Sequence, residues 1–114
     1  MRIGPATPEL PVRSVEEAQR YYRDRMGFRI GWHQEDGRIG AVSRGDCAIF
    51  FRETDTEIHP GTFWVFAEAI DDLYRALNDL GAEIVDPIED KPWGLRQFTV
   101  RDLHGHLFHY HLDL

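Results

Sequence analysis

Apolar positions recur along this chain in the same order twice. In the first half Val15, Ala18, Tyr22 and Met26 fall on one stripe at helical spacing, and Gly27 follows as a stop. In the second half Ile70, Leu73, Leu77 and Leu80 repeat the pattern before Gly81. Short alternating runs surround both helices. Thr7 to Val12 reads as a first strand, with two prolines that suit an edge or an end. Phe28 to Gln34, Ile39 to Ser43 and Cys47 to Arg52 follow, separated by turns at Glu35-Asp36-Gly37 and Gly45-Asp46. Past the middle, Thr62 to Ala67 precedes the second helix, and strands beginning at Ile84, Leu95 and Leu107 come after it. The order β-α-β-β-β therefore occurs twice, which predicts an α+β fold of two repeated modules. Neither module has a second layer of its own for both faces of its sheet. The pattern predicts that they pair into a cup-shaped mixed sheet with the helices outside.

Local signals sharpen the boundaries. Ser14 stands three residues before Glu17, the spacing of a capping box, so the first helix is expected to begin at Val15. Thr54 to Gly61 is polar and carries a Pro-Gly pair, the expected linker between module 1 at residues 5–53 and module 2 at residues 62–114. At 114 residues the chain supports one compact domain spanning residues 1–114. No window approaches the roughly 20 apolar residues of a membrane helix, and the first residues lack the layout of a secretion signal. A cytoplasmic location without membrane association is the expectation.

Charge and cysteine content narrow the chemistry. The net charge of −7 argues against nucleic acid as a partner, because phosphate binding needs clustered Lys and Arg, and it suits a cationic ligand better. The single cysteine, Cys47, cannot form an internal disulfide and reads as a small apolar residue in a strand. No nucleophile elbow, paired CxxC or phosphate-binding glycine loop is present.

Two segments carry a family resemblance. LPVRSVEEAQRYYRDRMGF resembles the first strand and helix of the vicinal oxygen chelate superfamily, which joins glyoxalases, bleomycin-resistance proteins and extradiol dioxygenases. PWGLRQFTVRDLHGHLFHY resembles its closing segment, and most of all that of the bleomycin-resistance branch, with Leu103 and His106 where that branch has Pro and Asn. The resemblance implies the glyoxalase/bleomycin-resistance fold over essentially the whole chain, and a homodimer.

In the enzymatic branches it also implies a divalent metal held by His, Glu or Gln. Carried over position by position, the four ligand sites fall on Thr7, Phe50, Phe63 and His109. Only the last is a good donor, so no metal and no other cofactor is expected. His109 and His111 share a strand face by alternation and are the residual metal candidates. His109 with Glu9 is the residual acid and base pair. His104 and His106 are assigned to a turn.

With chemistry discounted, the cleft reads as a binding site. Phe50, Phe63 and Trp93, with Trp32, offer flat apolar faces, while Glu9, Thr7 and His109 offer polar handles. Trp64, Phe66, Phe98, Phe108 and Tyr110 are expected to alternate away from it into the core, and Arg96 and Arg101 to lie at the surface. The function expected is metal-independent sequestration of a cationic or aromatic antibiotic or metabolite in a dimeric cleft. The alternative is a metal-dependent lyase, isomerase or dioxygenase that uses His109.

Overall fold

The computed structural model describes residues 1–114 and contains ten elements in the order the sequence pattern predicts. They are β1 Glu9–Val12, α1 Val15–Met26, β2 Arg29–Gln34, β3 Ile39–Arg44, β4 Cys47–Glu53, β5 Thr62–Phe66, α2 Ile70–Leu80, β6 Glu83–Asp90, β7 Leu95–Arg101 and β8 Leu107–Asp113. They form two four-stranded mixed sheets, ordered β1-β4-β3-β2 and β5-β8-β7-β6. Each is the same βαβββ module, with one parallel pair closing it: β1 on β4, and β5 on β8. The chain divides into two compact units, Met1–Asp24 with Phe28–His59, and Arg25–Gly27 with Pro60–Leu114. No helix is long and apolar enough to cross a membrane.

The stripe on α1 forms as its spacing predicts, since Val15, Ala18, Tyr22 and Met26 are all buried. Tyr22 meets Phe51 of β4 edge-on with ring centroids 4.8 Å apart. The helix start has two caps. The Ser14 hydroxyl accepts the Glu17 N–H at 3.1 Å, and the Glu53 carboxylate at the end of β4 accepts the Val15 N–H at 3.0 Å. The second of these ties the helix to the sheet and holds the Glu53 carboxyl below its usual range.

Inside the first unit the β2–β3 ladder breaks between Ile30 and His33. A bulge leaves carbonyls without ladder partners, and Gln19 supplies the missing donors. Its side-chain amide, 4% exposed, donates to Trp32 O at 3.0 Å and Ala41 O at 3.1 Å. The approach is so close that a Cβ on Gly40 would collide with Val15 Cγ1 and crowd Gln19. A polar residue on the buried stripe of α1 thus fixes the bulge that displays Trp32.

The core of the second unit is Ile70 and Leu77 of α2 with Phe98, Val100, Phe108 and Tyr110 of β7 and β8. Phe98 and Tyr110 stack at 5.1 Å, and Tyr74 joins Phe98 edge-on at 5.0 Å. Leu80 departs from the expected stripe and is exposed. Gly81 stops the helix in the left-handed region at φ +84°, returning its N–H to Asn78 O. Arg96 bridges Asp71 of α2 and Asp90 of β6 across the surface.

Replacing Gln19 with leucine strips one buried and one part-buried carbonyl of their donor, so urea denaturation should show a loss of about 1–3 kcal/mol. Gly40→Ala, which overpacks the same spot, should cost a similar ~1–3 kcal/mol. Wild-type stability in both variants would contradict this reading of the bulge.

Candidate functional site

The register of the second sheet decides which side chains share a face. Residues paired across strands lie on the same side. Trp64 pairs with His109, His109 with Thr99, and Thr99 with Asp86. One step along, Phe66 pairs with His111, His111 with Gln97, and Gln97 with Glu89. Two rows therefore cross the sheet side by side. Each runs from an aromatic ring through an imidazole and a neutral hydrogen-bonding group to a carboxylate.

Trp64 and Phe66 are 54% and 62% exposed, although both are large and apolar. The expectation that they turn into the core is overturned by the register, and so is the expectation that Phe63 shares a face with His109. Phe63 lies on the helix side, stacked on Phe108 with centroids 5.5 Å apart. Three of the five residues in β5 are aromatic and both parities carry one, so alternation alone leaves its orientation undecided. Phe98, Phe108 and Tyr110 are core as expected.

The imidazole of His109 lies against the Trp64 indole at 4.4 Å with a 32° tilt. Its Nδ1 is 2.6 Å from the hydroxyl of Thr99, itself 3% exposed. Partial burial pushes the His109 pKa below its usual value, and the Asp86 carboxylate opposes the shift. His111 meets Trp64 and Phe66 edge-on at 5.8 and 6.2 Å. Its Nδ1 is buried and has no hydrogen-bond partner. Trp93 stands in the loop before β7 with its indole N–H donated to Gln97 Oε1 at 2.9 Å, and the Lys91 ammonium lies 5.8 Å from its ring centre. Lys91 is held by Asp86 and Glu89.

The remaining candidates belong to the first unit. Glu9 and Phe50 are opposite one another on β1 and β4, and Trp32 meets Phe50 edge-on at 5.1 Å. Glu9 forms an ion pair with Arg52 at 3.1 Å. Thr7 lies in the exposed segment before β1. His104 and His106 do fall in the β7–β8 turn. Its geometry is set by Asp102, whose Oδ1 accepts both of their backbone N–H groups at 2.9 Å. Cys47 is partly buried, which raises its thiol pKa and keeps it protonated at neutral pH.

No group of three or more His, Cys, Asp or Glu side chains is placed to hold a metal ion. Thr99, Gln97 and Asp86 were absent from the sequence reading. Only the register, counted outward from His109, could have found them.

Comparison with known proteins follows the same lines. Residues 2–110 match the family described as Glyoxalase/Bleomycin resistance protein/Dioxygenase superfamily. Among solved structures, TioX from Micromonospora sp. ML1 is similar at 28% identity and TM-score 0.83, over 97% of this chain and 100% of that one. A glyoxalase/bleomycin resistance protein/dioxygenase from Nocardioides is similar at 17% identity and TM-score 0.74, over 100% and 87%. A glyoxalase-related enzyme from Clostridium phytofermentans has 14% identity and TM-score 0.80, over 100% and 98%. No curated protein matches the sequence.

The His109 environment makes a pH test available. Its folded-state pKa is depressed, so between that value and the unfolded value near 6.5 the unfolded chain binds more protons and stability rises with pH. The contribution is fully present above about 6.5 and is lost as pH falls through the folded pKa. Proton NMR should show His109 titrating below 6.5, and Asp86→Asn should lower the midpoint further. A midpoint at or above 6.5 would contradict the burial argument.

Proposed function

The chain belongs to the Glyoxalase/Bleomycin resistance protein/Dioxygenase superfamily, and on that premise we propose that it is a metal-independent binding protein. It sequesters a small aromatic or cationic molecule, an antibiotic or a metabolite, as a cytoplasmic homodimer. One observation carries the reading: on the face of the second sheet turned away from α2, Trp64 and Phe66 expose more than half their surface beside two imidazoles. Flat apolar rings with a few directed polar groups are the usual composition of small-molecule sites. A planar cation resting there would gain about 0.5–2 kcal/mol per aromatic contact. The net charge of −7 favours the same partner.

The donor set argues against a resident divalent ion of the kind the enzymatic branches use. Of the four carried-over positions, Thr7 is a weak donor, Phe50 and Phe63 have none, and His109 alone offers an imidazole. No third ligating side chain joins His109 and His111.

Tryptophan emission of the untagged protein, titrated with the planar cation proflavine, tests this. Saturable binding without turnover, unchanged after EDTA dialysis and weakened roughly five-fold in Trp64→Ala, is the expected result. Stoichiometric metal whose removal abolishes binding would contradict it, as would absence of saturable binding.

A further inference from the structure

The protonation of the two imidazoles follows from what surrounds them. The Thr99 hydroxyl is buried, and its hydrogen-bond partner is His109 Nδ1. A buried O–H that donates to nothing costs about 1–3 kcal/mol, so the hydroxyl donates and Nδ1 accepts. In the neutral imidazole the proton is then on Nε2. His111 reaches the same state by another route. Its Nδ1 is buried with no acceptor in reach, and a proton there would be an unpaired buried donor. A bare lone pair is the cheaper alternative, which again leaves the proton on Nε2. The depressed pKa of His109 keeps that ring neutral at pH 7.

We propose that His109 and His111 present a pair of Nε2–H donors, two residues apart on β8 and flanked by Trp64 and Phe66, that selects planar aromatic ligands bearing a carbonyl oxygen. The inference rests on the binding function proposed above and narrows it. Within the aromatic class, recognition is by acceptor oxygens on the ring system. Thr99 is the positioning residue, since its hydroxyl sets both the tautomer and the orientation of His109. Asp86, Glu89 and Lys91 close the far end of the two rows as an ion-paired group.

Two readouts on the intact protein at pH 8 test the proposal. Long-range proton–nitrogen NMR of the imidazoles should show both rings as the Nε2–H form, and Thr99→Val should shift His109 toward a mixture of tautomers. Calorimetric titrations with 9-fluorenone and with fluorene, which differ by the carbonyl, should show fluorenone binding more tightly by roughly two- to ten-fold. The double variant H109F/H111F keeps the flat rings and should lose that preference while still binding fluorene. Finding either imidazole as the Nδ1–H form would overturn the inference and leave the binding function standing. So would saturable binding of both probes without preference, or a preference that survives in the double variant. Failure of the wild type to bind either probe while it binds proflavine would overturn this inference alone, and failure to bind proflavine as well would overturn the binding function with it.

Discussion

The chemistry of the second unit depends on one register, that of the parallel pair β5 and β8. Parallel strands must be joined by a long crossover, here α2, β6 and β7, so no tight turn sets their alignment. A slip of one residue would exchange Trp64 for Phe63 opposite His109 and turn every side chain of β5 to the other face. The alignment is fixed instead where the two strands begin. His106, 1% exposed, accepts the Gly61 N–H on its Nδ1 at 2.9 Å, and Gly61 O accepts the Leu107 N–H at 2.9 Å. The Asp102 carboxylate in turn accepts the His106 N–H, so the β7–β8 turn becomes the anchor for β5. Bulk at Gly61 is excluded as well, since a Cβ there would lie 2.8 Å from the Phe63 ring.

The first unit has the same topology and uses its sheet differently. Its parallel pair sets Glu9 opposite Phe50, with an Arg52–Glu9 ion pair on the same face, where the second unit sets Trp64 opposite His109. Its irregularity is a bulge held by a buried glutamine amide, and the aromatic display is Trp32 on Phe50. Two copies of one backbone plan thus carry an ion-paired aromatic face and an imidazole-aromatic face. The division follows from side chains, because the strand order is identical in both sheets.

Helix positions and the order of elements along the chain were legible in the sequence because each rests on a local signal. The 3.6-residue stripe, Ser14 as a cap and Gly27 and Gly81 as stops act within a few residues. The turn containing His104 and His106 was legible for the same reason. The faces of β5 were not. Phe63, Trp64 and Phe66 give both parities apolar character, and which of them is buried is settled by α2 and by the tie between Gly61 and His106, 45 residues apart. Gln19 was hidden similarly, since a glutamine beside an apolar stripe has no local mark of the two carbonyls it must satisfy across the sheet.

The central claim is that the Trp64 face of the second sheet is where a small molecule binds. Backbone amide shift mapping with proflavine tests it most directly, because it reports on both sheets and both helices at once. The largest changes should fall on residues 62–66, 97–99 and 109–112, with Ile70 and Leu77 on the helix side little affected. Changes centred on α2 or on the β2–β3 turn, or no saturable change anywhere, would contradict it.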